Sequence, residues 1–291
     1  MTAKLLPLLP SHKQYCEPYF GGGSVFFAKH PCGHETINDI DQGVTDFFRV
    51  LRDNGEWFIE RANLTEYGEG LFRECRDTWR QEPDEKLRAW KWWVTASQGF
   101  SGLATVERNG VGYSHSHSRT EACQKGGNTA KWVHGVDRLP DVIRRLRSTQ
   151  IFCGDALRAM RCCDTEDCLH YVDPPYVSAT RSDGAYSCEM TDEAHGELVA
   201  YLLAEIRGKV VVSGYCHPLY VPLEEAGWVR IDFPTACHST GRTVGSGLIG
   251  KGTALAKQAR TESVWLCPRM VREVKPNLFN QGDPECLTAT A

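Results

Sequence analysis

The stretch Gln14-Tyr15-Cys16-Glu17-Pro18-Tyr19-Phe20-Gly21-Gly22-Gly23-Ser24 governs the reading of the whole chain. Gln14 to Glu17 reads as a short strand ending in a glycine-rich turn, and Ser24 to Lys29 as the helix that follows. Successive glycines let the backbone turn tightly and approach a ligand closely, with a helix start just beyond. The pattern is neither G-x-G-x-x-G nor a phosphate loop, because no Lys-Ser/Thr pair follows. A glycine turn alone is often only structural. The Glu-Pro-Tyr-Phe ahead of this one makes it more specific.

Working outward, short apolar runs alternate with amphipathic segments, the pattern of an α/β protein with a largely parallel sheet. Glu35 to Asn38 reads as a second strand closing on acids, followed by a helix over Gly43 to Arg52. Gln150 to Cys153 and Leu169 to Val172 are further strands leading into Asp155 and Asp173. Thr191 suits a helix N-cap, with Asp192 and Glu193 in the first turn. Lys209 to Ser213 is Val-rich enough to be buried on both faces. Trp228 to Phe233 and Thr261 to Cys267 form a closing pair of strands, joined by a glycine-rich basic connection.

Residues 56–148 break this rhythm. They open with helices over Glu56 to Asn63 and Asp84 to Gln98, pass through a polar segment, Gly99 to Gly127, and close on a basic helix, Val136 to Arg147. This reads as a mainly helical insert between residues 1–55 and 149–275, with 276–291 a disordered tail. Trp90, Trp92 and Trp93 sit at helical spacing and are expected in a core.

The composition bounds the rest. A chain of 291 residues, 41% apolar and 24% charged, is an ordinary globular protein with one large core or two modest ones. No apolar run approaches the ~18 residues of a membrane span, and Met1 to Pro7 does not resemble a signal peptide. The 13 cysteines are irregularly spaced, as expected of reduced thiols in a cytoplasmic protein. Cys162, Cys163, Cys168 and His170 cluster but lack the paired C-x-x-C spacing of a zinc site, so no metal is expected.

The formal net charge is −4, yet two segments are basic. Ser101 to Met160 carries nine basic residues against five acidic, and Thr240 to Lys275 seven against two. Such segments on an acidic body suit a groove for a polyanion, with solvated surface charge as the plainer alternative.

Two further motifs carry chemistry. Asn38-Asp39-Ile40-Asp41 follows the glycine turn and sets a carboxylate at a strand end. An acid there accepts hydrogen bonds from the ribose hydroxyls of a nucleoside cofactor, unless it only caps the next helix. Tyr171-Val172-Asp173-Pro174-Pro175-Tyr176 places a carboxylate at another strand end, ahead of a stiff turn. An amine on an aromatic base is a poor nucleophile because its lone pair is delocalised into the ring. Two acceptors for its N–H groups, the Asp173 carboxylate and the Pro174 carbonyl, would free that lone pair. Tyr176 would offer a flat face for a base stacked outside its helix.

In that order, E-P-Y-F-G-G-G-S-V-F-F, I-N-D-I-D and Y-V-D-P-P-Y resemble the Dam-type (D12 class) adenine-specific DNA methyltransferases. The resemblance runs from about Leu5 to Pro268 and takes in Phe152 to Asp155, Val211 to Tyr215 and Glu262 to Trp265. It implies an S-adenosylmethionine-dependent methyltransferase (Rossmann-like) mixed sheet whose insert, residues 56–148, reads the target sequence. The expected substrate is double-stranded DNA, handled by a monomer with no membrane association. Glu17, Tyr19, Gly21 and Gly23 would line the methionine end of S-adenosyl-L-methionine, Asp39 its ribose and Asp155 its adenine amine. Asp173, Pro174 and Tyr176 would receive the flipped adenine for direct methyl transfer to N6.

Polar and aromatic stretches of the insert, Ser97 to Gly102 and Tyr113 to His117, suit base reading. Arg119, Lys125 and Arg144 in the insert, with Arg242 and Lys251 in the late loop, would hold phosphates. Family members usually begin with a Gly-Gly-Lys segment near the cofactor, and the glycine pair is absent from Met1-Thr-Ala-Lys4. That sets a non-catalytic or impaired DNA-binding relic beside the active enzyme as an alternative. Transfer to cytosine N4 is a further alternative, although such enzymes more often carry Ser where Asp173 stands.

Overall fold

The computed structural model describes residues 1–99, 112–115, 127–177, 188–236 and 259–271. Among these are seven strands: β1 (Gln14–Glu17), β2 (His34–Asp39), β3 (Thr149–Cys153), β4 (Cys168–Val172), β5 (Lys209–Gly214), β6 (Val229–Ala236) and β7 (Ala259–Leu266). They form one sheet of order β3-β2-β1-β4-β5-β7-β6. The first five run parallel, and β7 inserts antiparallel between β5 and β6. This is the mixed α/β, Rossmann-like sheet that the resemblance implies.

The central strands read as apolar runs because both of their faces are covered. All five residues of β4 are buried, as are Val210, Val211 and Val212 of β5. Two parallel neighbours need a crossover, and helices supply it. Thr2–Leu5 (α1) precedes the sheet, Ser24–Ala28 (α2) joins β1 to β2, and Gln42–Asp53 (α3) follows β2. Asp41 caps α3 by accepting from the Gly43 amide at 2.8 Å.

Between α3 and β3 the chain forms Gly55–Asn63 (α4), Glu69–Thr78 (α5), Glu85–Gln98 (α6), Gly127–Asp137 (α7) and Leu139–Leu146 (α8). Their apolar faces join the core of the sheet domain. Phe47 on α3 meets Phe58 on α4 and Trp92 on α6, each at 5.5 Å between ring centroids. Trp90 and Trp93 are buried, as expected, Trp92 is only half-buried against the same core, and the Trp90 indole donates to Thr65 at 2.9 Å.

The expected single basic helix over Val136 to Arg147 is two helices, α7 and α8, broken at Arg138. Pro140 stands at the start of α8, where its missing N–H costs nothing, so it opens a new helix rather than continuing the old one. Arg145 also departs from the surface role of its segment. It turns inward, pairs with Glu35 and lies 3.8 Å over the Phe26 ring. Lys29 reaches the same carboxylate at 2.5 Å, so one buried acid on β2 binds two cations.

Beyond β3, Ala156–Cys163 (α9) leads into β4. Asp192–Ala204 (α10) precedes β5, and Thr191 caps it by accepting from Ala194. Val221–Glu225 (α11) precedes β6. No helix among the described residues is long and apolar enough to cross a membrane.

Candidate active site

The strand order reverses between β1 and β4, which are hydrogen-bonded neighbours. In open α/β sheets the crevice outside the carboxyl ends at such a reversal is where ligands bind. Glu17 closes β1, and Asp173 directly follows β4.

Glu17 is 2% exposed and accepts the Tyr15 hydroxyl on Oε2 at 2.6 Å. Burial raises its carboxyl to about 8 and the nearby Asp173 adds to this, while Tyr15 and the Phe26 amide hold it down. Burial likewise raises Asp173 to about 6, with Glu262 adding its charge. The Tyr171 hydroxyl donates to Asp173 Oδ2 at 3.2 Å, and Ser213 and Tyr176 also favour its ionised form. Oδ1 of Asp173 is buried without a hydrogen-bond partner among the described residues. A buried acceptor left open in this way costs about 1–3 kcal/mol until a donor arrives.

The glycine turn after β1 is held by β2. Gly21, at φ 49°, donates its amide to Asp39 Oδ2 at 2.8 Å, and Asp41 donates its own to Oδ1 at 2.8 Å. An ionised carboxylate offers about four acceptor directions, so Asp39 keeps capacity for further donors. Burial raises the Asp39 carboxyl above its ordinary value. Gly23, at φ 63°, has no room for a side chain, since a Cβ would lie 2.3 Å from the Phe20 ring. A Cβ at Gly21 or Gly22 would instead meet open space, the form of a cradle with its inside unfilled.

Asn38 laces the edge together. Its Nδ2 donates to the Pro18 carbonyl and to the Gly154 carbonyl, both at 2.9 Å. Asp155 lies just past β3, caps α9 by accepting from the Arg158 amide at 2.7 Å, and is exposed. Burial pushes the Tyr19 phenol up, with the Asp155 charge contributing, so these two side chains are near one another. The Tyr176 ring meets Tyr215, just beyond β5, edge to face at 4.7 Å between centroids.

Glu17, Tyr19, Gly21, Gly23, Asp39, Asp155, Asp173, Pro174 and Tyr176 thus all lie at or just past the carboxyl ends of β1 to β4, along one edge of the sheet. Arg144 is not part of that group. It is an exposed residue of α8, paired with Asp141 at 3.0 Å, and α8 leads into the amino end of β3. Arg119, Lys125, Arg242 and Lys251 lie outside the described residues, as does the tail 276–291. Among the described residues no three His, Cys, Asp or Glu side chains are grouped to hold a metal.

Sequence reading missed Tyr15, Tyr171 and Asn38. A signal existed for the first two, since each stands two residues before an acid and so shares its face of the strand.

An acid at the end of β2, a glycine cradle at the end of β1 and Asp-Pro-Pro-Tyr at the end of β4 are the parts of an enzyme that methylates an amine on a base. The chain belongs to the D12 class N6 adenine-specific DNA methyltransferases, whose sequence model matches residues 2–226. It is also 27% identical over 201 residues to the type II methyltransferase M1.LlaDCHI of Lactococcus lactis subsp. cremoris, covering 64% of this chain and 67% of that protein. Its reaction is adenine-specific methylation of DNA, and enzymes of this family in general take the methyl group from S-adenosylmethionine.

Proposed function

We propose that this chain binds S-adenosyl-L-methionine along the carboxyl edge of β1 to β3 and methylates N6 of an adenine flipped out of double-stranded DNA. The observation that carries this reading is the Asp173 carboxyl. It has one buried oxygen with no hydrogen-bond partner among the described residues and lies beside Glu17 at the sheet's reversal point. The open faces of Gly21 and Gly22 fit a cofactor, and Asp39 retains acceptor capacity for ribose hydroxyls. The bound cofactor supplies an electrophilic sulfonium methyl.

The residues divide the work. Glu17, Tyr19, Gly21 and Gly23 hold the amino-acid end of the cofactor, Asp39 its ribose, and Asp155 its adenine amine. Asp173 Oδ1 and the Pro174 carbonyl accept the two N6 hydrogens of the target, leaving the nitrogen lone pair directed at the methyl group. Tyr176 stacks on the extruded base, a contact worth about 1–3 kcal/mol. Arg119, Lys125, Arg144, Arg242 and Lys251 take phosphates, and residues 56–148 act as the target-recognition insert. Because Arg144 lies away from the catalytic edge, its contact would be with DNA flanking the target.

Long-read sequencing of DNA from cells expressing the chain tests this directly. Modified adenine confined to one sequence context supports the reading, and its absence in a strain lacking other methyltransferases refutes it.

A further inference from the structure

We propose that Tyr15 is a positioning residue for cofactor binding: its hydroxyl fixes the Glu17 carboxyl to receive the ammonium group at the amino-acid end of the cofactor. This rests on the reading of Glu17 given above. Tyr15 and Glu17 stand two apart on β1 and share a face of the strand. They are 1% and 2% exposed, and the bond between them is 2.6 Å.

The ring of Tyr15 is itself immobilised. The Lys29 ammonium lies 4.3 Å from its centroid and is held by Glu35 at 2.5 Å. The Phe26 and His12 rings flank it at 6.4 Å and 5.8 Å. None of these ring contacts uses the hydroxyl, so phenylalanine would satisfy them equally. The O–H serves Glu17.

That service has a physical need behind it. A buried carboxylate must find donors or give up its charge. Tyr15 and the Phe26 amide supply two donors, and a carboxylate has room for more. An arriving ammonium then meets an acid already oriented, and little ordering remains to be done on binding. The neighbouring strand repeats the device, with Tyr171 donating to Asp173.

The test is calorimetry on Tyr15→Phe with two probes. S-adenosylhomocysteine carries the amino acid, and methylthioadenosine is a related nucleoside without it. Tyr15→Phe is expected to weaken S-adenosylhomocysteine about tenfold, the scale of one hydrogen bond to a charged group. Methylthioadenosine affinity should be unchanged, and in a Glu17→Gln background Tyr15→Phe should have no further effect. Unchanged S-adenosylhomocysteine binding overturns the proposal, as does an equal loss for both probes, which would mark a purely structural tyrosine. If wild type and Glu17→Gln bind S-adenosylhomocysteine equally, the reading of Glu17 itself fails.

Discussion

The Tyr171 hydroxyl donates to one oxygen of Asp173 across 3.2 Å, while the other oxygen of that carboxyl is buried with no partner among the described residues. One side of the group is anchored and the other is open to an incoming donor. Satisfying that oxygen within the fold would remove a destabilising feature and, on our reading, the catalytic acceptor with it. Natural active sites commonly keep such unfavourable features where function needs them.

The first prediction concerns pH. Protonation gives the Asp173 carboxyl a competing O–H donor and makes it a much weaker acceptor for an N–H, and burial raises it to about 6 in the free protein. At saturating cofactor, where the Glu17 proton has already been released, the kcat/KM for DNA should therefore fall about tenfold per pH unit below that value, since it reports the enzyme form that meets DNA. A flat profile down to pH 5 would remove Asp173 from the acceptor role.

The same shift predicts a stability change in Asp173→Asn. The folded value of about 6 lies above the ordinary 3.8, so the folded state binds the proton more tightly. Ionisation of this carboxyl thus weakens the fold as pH rises from about 4 through 6. Asp173→Asn should be more stable than wild type by about 1–3 kcal/mol at pH 8, with the gain shrinking towards pH 4. Urea unfolding at the two pH values measures this. Methyl transfer by the variant should be lost while cofactor binding is kept.

Glu17 makes a prediction about protons released on binding. Raised to about 8, its carboxyl is mostly protonated at pH 7. An ammonium beside it favours the charged form, so cofactor binding at pH 7 should release most of one proton per site. Calorimetry in buffers of different ionisation enthalpy counts that proton. Glu17→Gln should abolish the release, and a wild-type count of zero would refute this account of the site.

Much of the fold was legible because each strand announces both its burial and its end. The runs at 14–17, 150–153 and 169–172 stop at acids or glycine, and the structure moves their boundaries by no more than one residue. The helix α5 went unread because its sequence is mostly polar and buries only Phe72 and Cys75. The candidate site's edge was legible from Glu17, Asp39 and Asp173, since each is an acid placed where a strand ends. The bonds that hold the edge together were less so. Asn38 reaches carbonyls 20 and 116 residues away, a convergence that only the sheet order creates. Tyr15 and Tyr171 read as ordinary strand formers, a propensity that hides the bonds they donate.

The buried acid of β2 makes a test of stability independent of function. Glu35 is 1% exposed at its side chain and binds both Lys29 and Arg145. Removing one partner of a buried ion pair leaves uncompensated charge and costs about 3–5 kcal/mol. Glu35→Ala strands two cations, so its cost should lie at the upper end of that range in denaturant unfolding. A loss below about 1 kcal/mol, the scale of an exposed pair, would show that water reaches the site.

Tyr176 allows its two functions to be separated. Its ring sits edge to face with Tyr215 at 4.7 Å, and its hydroxyl side favours the ionised form of Asp173. Tyr176→Ala removes the stacking face, so kcat/KM should drop by about 5- to 150-fold, the equivalent of 1–3 kcal/mol. Fluorescence of 2-aminopurine at the target position should then report a base that is extruded but poorly held. Tyr176→Phe keeps the ring and loses the hydroxyl, and should leave that fluorescence at the wild-type level. Its acid limb should move upward instead, because Asp173 loses one of the groups that favour its charge. If Tyr176→Phe and Tyr176→Ala lose activity equally with no change in the limb, the ring is not the stacking platform assigned to it.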